Sequence, residues 1–298
     1  MPLSDELQPT LDDYLTPPPL LFHYTSDAGL QGIIESGTVW ATDIAYLNDS
    51  RELKHGFDLL KKALIDIEDG TWTSDLADLV TNAFTAPLAF RIMVACFCER
   101  GDLLGQWRGY STSCGYSIGL DATKVNNILE ARGQMPLRRI VYDNEVARKM
   151  AVVWAKFVDD AWRPVVEKLK QDGLTDDDRG RAMYEFSGEH VGNAAAACTG
   201  LKDPAFVEER EWRTLSIVQS GPNSKSGSGM KFRQGPIGLT PYIAIDLRDS
   251  TGKLPIEKVI VGPGPNLDLR MDAAEMFLHR HNYGDVEIVP SSIPYRPA

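Results

Sequence analysis

Two glutamates, Glu209 and Glu211, stand two residues apart in AFVEEREWRTLSIV, directly ahead of an apolar run. On an extended backbone alternate side chains share a face, so both carboxylates are expected on one side of a strand. Like charges held that close repel, which raises one pKa. Such a pair suits chemistry at a sugar carbon, where one carboxylate stabilises developing positive charge and the other steers a nucleophile or a hydroxyl. The same residues also fit a solvated charge cluster at a strand edge, with Arg210 and Arg213 as partners. Which account holds depends on what faces the pair.

A second candidate stretch lies far upstream. LLFHYTSDAGLQGIIESG, residues 20–37, places His23, Tyr24 and Thr25 on a short apolar strand. A helix follows, with Ser26 or Asp27 as its N-cap, Leu30, Ile33 and Ile34 on one face and Gly37 as its stop. A lone histidine on such a strand serves either as a hydrogen-bonded core residue or as a ligand group. A third stretch, CFCERGDLLGQWRGY, sets Trp107 and Tyr110 at i and i+3 on one helical face. That pair packs in a core unless its helix lines a cleft, where one ring could stack on a ligand.

The elements that must hold these residues read as follows. Residues 1–19 form a tail or extended lead-in, ended by Pro17-Pro18-Pro19. ELKHGFDLLKKALIDIE is helical by its period, RIMVACFCE is a buried strand, and CGYSIGLD is another strand. About 145–197 is helical. EWRTLSIV and IAIDL are strands joined by a Gly/Ser-rich loop, and the C-terminus runs strand, helix, strand, ending in DVEIVPSS. Helices and strands mix without strict alternation, which predicts an α+β fold rather than a doubly wound sheet.

Composition removes several functions. The chain has 298 residues, 43% of them hydrophobic, enough for a substantial core. Its formal charge of −11 argues against nonspecific binding to nucleic-acid backbones. The N-terminus has neither the basic nor the apolar region of a signal peptide, and no apolar run is long enough to span a bilayer, so a cytoplasmic protein is expected. Cys96, Cys98, Cys114 and Cys198 form no C-x-x-C pair, and no metal is expected. VIVGPGPN lacks the lysine of a phosphate loop and reads as a strand-ending turn.

Together the blocks FHYTS…VWA, YLND, CFCE…QWRGY, KDPAFVEEREWR and SSIPYR, in that order, resemble the bacterial family described as domain of unknown function 2971. That family in turn resembles the ADP-ribosyltransferase superfamily, which uses NAD as a donor of ADP-ribose. The resemblance implies a single domain over residues 21–298, a split β-sheet core, and a helical insertion at about 145–200. It further implies that His23 holds the NAD ribose, with Tyr24 and Thr25 beside it, and that Trp107 or Tyr110 stacks on nicotinamide. Phe206, Glu209 and Glu211 match the aromatic-x-x-Glu-x-Glu of the toxin branch, in which the second glutamate is catalytic and the first goes with arginine acceptors. The chain mixes branches, since toxins open with arginine where this chain has His23, and STS at 111–113 falls after the helix and is set aside as chance. The activity implied is ADP-ribosyl transfer to a protein or nucleic-acid acceptor, or NAD hydrolysis, in an effector or defence setting. A silent nucleotide-sensing module and an antitoxin-like partner protein are the alternatives.

Overall fold

A computed structural model describes residues 13–47, 52–67, 90–110, 115–171, 196–219, 229–235 and 237–294, together with Thr175, Asp178, Arg181, Ala182 and Phe186. The first twelve residues, Asn48 and Asp49 of YLND, STS at 111–113, most of the expected helix beyond Gln171, the Ser/Gly-rich loop at 220–228 and the last four residues lie outside it.

β1 (Leu20–Ser26) ends where Ser26 turns to cap α1 (Asp27–Ser36), its Oγ accepting from the Gly29 N–H. Leu30, Ile33 and Ile34 are the buried face of α1, and Gly37, at φ 68°, closes it by donating its N–H to the Ile33 carbonyl. β2 (Thr38–Asp43), α2 (Glu52–Asp66) and β3 (Phe90–Cys98) follow. After α3 (Leu104–Tyr110) and β4 (Gly115–Asp121), Asp121 caps α4 (Ala122–Ala131) through the Lys124 N–H. The two-residue β5 (Arg138–Arg139) leads to the long α5 (Asn144–Gln171). A 3₁₀ turn, Pro204–Glu209, precedes β6 (Glu211–Gln219), and β7 (Lys231–Gly235) pairs with β8 (Gly238–Asp246). β9 (Ile256–Val261), α6 (Leu267–Arg280) and β10 (Glu287–Pro290) complete the chain.

The strands form one large mixed sheet in the order β10-β9-β4-β1-β3-β2-β8-β7, with β6 also on β3 and β5 on β6. Among these strands only the β9–β10 pairing is parallel, and an isolated parallel bridge joins Val141 to Leu201. The fold is therefore mixed α and β around an open, mostly antiparallel sheet. At β3 both faces are covered. Met93, Ala95 and Phe97 of β3 enter the main core with α1, α4 and α6, whereas Ile92 and Val94 enter a second cluster on the opposite face. α2 and α5 pack together through Leu60, Leu64, Ala155, Val158 and Trp162, which accounts for the helical stretch expected from residue 145. Tyr14, in the segment read as a lead-in, packs against the Val141, Ala147 and Leu201 cluster.

Two elements differ from expectation. The segment before IAIDL is part of a β-hairpin, because β7 supplies a partner to what was read as a short strand. α4 was not anticipated, although Val125 and Leu129 are four apart and both buried.

β3 has an uneven edge. One side pairs with β6 along its whole length, from Phe90 opposite Gln219 to Cys98 opposite Glu211. The other side is shared: Met93 and Val94 pair with β2, and Cys98 alone pairs with β1, at Phe22. Between those contacts the sheet forks.

Trp107 packs behind the fork, fully buried beside Tyr24, Cys98 and Ile260. Its ring meets Tyr24 edge-on at 4.8 Å, and its indole N–H donates to Asp102 at 2.7 Å. Trp107→Ala is expected to cost roughly 3–5 kcal/mol in urea denaturation through the cavity and the stranded Asp102 bond. A loss below about 1 kcal/mol would contradict this packing role.

Candidate active site

The fork opens into a cleft of about 390 Å³, within the range of small-molecule sites. His23, Thr25 and the α1 residues Ala28, Gly29 and Gly32 form one wall; Trp40, Thr42 and Arg233 form another; Cys96, Cys98, Tyr110, Glu209 and Glu211 lie along β3 and beyond its end. From Val94 to Cys98 the floor runs four residue steps, about 13 Å. The cleft thus brings together six of the seven residues singled out from sequence: His23, Tyr24, Thr25, Tyr110, Glu209 and Glu211. Trp107 does not line it.

His23 bridges the fork. Its Nδ1 lies 2.9 Å from the Cys96 carbonyl, at the stretch of β3 edge paired with neither β1 nor β2. A carbonyl only accepts, so Nδ1 carries the proton and Nε2 is left as an acceptor. Burial lowers the imidazole pKa, although the bond to Cys96 acts the other way, and the ring stays neutral. Tyr24 has a different role from its neighbour. Its hydroxyl donates to the Arg100 carbonyl at 2.8 Å and accepts from the Leu103 N–H at 2.9 Å, tying β1 to the loop before α3. Thr25 lies against α1 so closely that a Cβ on Gly29 would sit 1.8 Å from its Oγ1, and only glycine fits there.

The two glutamates converge, but not by the alternation of a strand. Glu209 ends the 3₁₀ turn, Arg210 takes a left-handed conformation at φ 45°, and only then does β6 begin at Glu211. Lys202 joins them: its Nζ is 2.7 Å from Glu209 and 3.2 Å from Glu211. Arg213 adds a bidentate grip on Glu211, with both bonds 2.7 Å long. Glu211 and Arg213 are 7% and 2% exposed, so this is a buried cluster. The Tyr142 hydroxyl takes the Glu211 backbone N–H at 3.1 Å, and the Cys98 thiol donates to the Glu209 carbonyl at 3.1 Å.

These cations overturn the expected pKa. Burial would raise that of Glu211, but the charges of Arg213 and then Lys202 outweigh it and hold the group at about 2. For Glu211, burial and these two cations rather than repulsion from Glu209 are the main influences. Nor is the pair a solvated strand edge: Arg213 is a partner, as that reading had it, but inside the protein, while Arg210 turns away to Glu99 at 3.7 Å.

Of the two aromatic candidates, Tyr110 is 48% exposed and lines the cleft beside Glu209 and Glu211. Trp107, i−3 on the same short helix, points into the core instead. Sequence reasoning missed Lys202, Arg213 as a buried partner, and the pair Trp40 and Arg233. KDPAFVEEREWR does contain Lys202 and Arg213, but nothing in their spacing announces that both reach the same carboxylate.

The depressed Glu211 pKa has a signed consequence. Its stabilisation is complete above the ordinary value near 4.5 and is lost as pH falls toward about 2. Glu211→Gln, which takes the charged partner from the buried Arg213 guanidinium while Lys202 keeps Glu209, is expected to cost roughly 3–5 kcal/mol at pH 7. Its stability is then expected to fall less steeply than that of the wild type between pH 4.5 and 2. Parallel pH profiles in urea denaturation would contradict the assignment.

Among the described residues no helix is long and apolar enough to cross a membrane. No curated protein and no solved structure matches the chain. Residues 106–214 match the family model described as Protein of unknown function (DUF2971), a stretch that holds Tyr110, Lys202, Glu209, Glu211 and Arg213 and leaves His23 outside.

Proposed function

We propose that this protein is an ADP-ribosyl-transferring enzyme that cleaves NAD at the nicotinamide–ribose bond and passes the ADP-ribosyl group to a macromolecular acceptor or to water. The observation that carries the reading is the fork in the sheet, with the His23 strand on one side and Glu211 at the end of the other. That arrangement accords with the split-sheet core and the His…Glu-x-Glu pattern of the ADP-ribosyltransferase superfamily.

The roles follow from the chemistry of each group. His23, neutral and with Nε2 as acceptor, holds a ribose hydroxyl. Tyr110 offers an exposed ring for the nicotinamide, and its π face favours a pyridinium by stacking and cation–π attraction. Glu211 is ionised throughout the physiological range. Hydrogen-bonded to the ribose 2′-hydroxyl, it stabilises the positive charge that grows on the sugar as the C–N bond breaks and the bonding pair leaves with neutral nicotinamide. Such a contact is worth roughly 3–4 kcal/mol of barrier. Glu209 takes the proton of the acceptor as its oxygen or nitrogen bonds to the sugar carbon. Arg213 and Lys202 keep Glu211 charged, and Lys202 keeps Glu209 beside it.

One observation favours a second reading, a nucleotide-binding module without turnover: Glu211 is already held by three charge-assisted bonds from Arg213 and Lys202. Activity separates the two. Glu211→Gln, assayed at a temperature where circular dichroism shows it folded, is expected to lose nicotinamide release and transfer by at least a hundredfold. Glu209→Gln is expected to lose transfer but retain measurable nicotinamide release. Wild-type protein that binds NAD and releases no nicotinamide, alone or with lysate acceptors, would leave the binding module.

Tyr110 gives an independent check: its residue is 48% exposed while burial around its hydroxyl raises that group's pKa, so Tyr110→Phe removes the buried hydroxyl and keeps the ring. Tyr110→Phe is expected to keep NAD turnover within about threefold, and Tyr110→Ala to lose at least tenfold. Equal activity in both would remove the ring from the site.

A further inference from the structure

We infer that the wall of the cleft built from β2 and β7 is a nucleoside diphosphate subsite, in which Arg233 takes the diphosphate and Trp40 stacks on the base. In a chain with 42 acidic and 31 basic residues, arginines have carboxylates at hand. Arg91 pairs with Asp43, Arg139 with Glu99, Arg213 with Glu211 and Arg248 with Asp246. Arg233 lines the cleft and, among the described residues, has no carboxylate within ion-pair distance. One of its terminal nitrogens donates to Thr42 Oγ1 at 3.2 Å, and its Nε is shielded from solvent with no acceptor. A guanidinium offers five donors in a fixed fork that matches phosphate oxygens, so the missing partner is an anion of that shape.

Its neighbours fit the remainder of such a ligand. The guanidinium carbon lies 5.7 Å from the centre of the Trp40 ring, which is itself 47% exposed and braced by Tyr242 at 4.6 Å between ring centres. An exposed indole beside a cation is a stacking platform for a base attached to phosphate. Register holds the two together. Thr42, Arg233's hydrogen-bond partner, faces Tyr242 across β2 and β8, and Tyr242 faces Lys231 on β7. Trp40 lies two residues before Thr42, on the same face of β2. On the α1 side Gly32 leaves the lane open, since a Cβ there would meet nothing within 4 Å. The subsite rests on the NAD reading for what lies beyond the diphosphate, toward Tyr110 and Glu211. Recognition of a nucleoside diphosphate needs only Arg233, for the phosphates, and Trp40, for the base.

The test is calorimetric titration of the full chain with ADP, compared with the Arg233→Gln, Arg233→Lys and Trp40→Ala variants, each checked by thermal melting. ADP is expected to bind the wild type. Arg233→Gln is expected to weaken it tenfold or more, Arg233→Lys by an intermediate factor because charge remains without the fork, and Trp40→Ala by at least fivefold. Absence of ADP binding at millimolar concentration, or a loss below tenfold in folded Arg233→Gln, overturns the subsite. Should Arg233→Gln fail to fold, Arg233→Lys decides: affinity equal to wild type overturns the proposal. Nicotinamide release measured in parallel separates the claims. ADP binding lost in Arg233→Gln without NAD turnover in the wild type keeps the subsite and removes the reaction, and turnover with unchanged ADP binding does the reverse.

Discussion

A strand has two edges, and β3 is asked to serve three long neighbours. β6 occupies one edge completely, so β1 and β2 must divide the other, β2 at Met93 and Val94 and β1 at Cys98. The backbone between them cannot pair with both and would be left with an unmet carbonyl at Cys96. The His23 imidazole supplies that donor. The bond spans the fork, fixes the tautomer of the ring and prevents the cleft from closing into a continuous ladder. The wall residues, the access of Tyr110 and the place of Glu211 at the end of β6 all follow from this division of one edge.

The second dependence is electrostatic. Burying Glu211 with Arg213 and Lys202 desolvates three charges, which the forked Arg213 bonds and the shared lysine offset. The cluster serves the fold by tying the 3₁₀ turn to β6, and it serves the cleft by holding one carboxylate ionised at its end. The role proposed for this residue in the cleft and its role in the fold are therefore inseparable. Loss of activity in a Glu211 variant carries meaning only beside a measurement of folding, whereas Trp40, 47% exposed, stands at the surface of the cleft and can be altered more cleanly.

Much of this was legible in the residues. The β1–α1–β2 unit is marked by the Ser26 cap, the Leu30, Ile33 and Ile34 stripe and Gly37, each of which acts through local chemistry. The meeting of His23 with the glutamates was expected only from the resemblance, since nothing local connects strands nearly two hundred residues apart. The relation of Glu209 to Glu211 was misjudged because alternation presumes a continuous strand, and the left-handed Arg210 interrupts it. Lys202 lies beyond the reach of any pleat argument. Trp107 and Tyr110 share a helical face on paper, yet α3 is short and its two ends meet different surroundings. The β7–β8 hairpin was hidden by a stretch rich in Gly and Ser, whose composition reads as loop, and Arg233 was hidden with it.

In the proposed function the fork between β1 and β2 holds NAD with its nicotinamide-side ribose between His23 and Glu211. A crystal structure of the protein with NAD, or with an analogue slow to cleave, tests it most directly. That ribose is expected within hydrogen-bond distance of both His23 Nε2 and a Glu211 carboxylate oxygen, with the nicotinamide against Tyr110. A dinucleotide seated elsewhere, or a ribose touching neither residue while Arg213 retains both Glu211 oxygens, would contradict it.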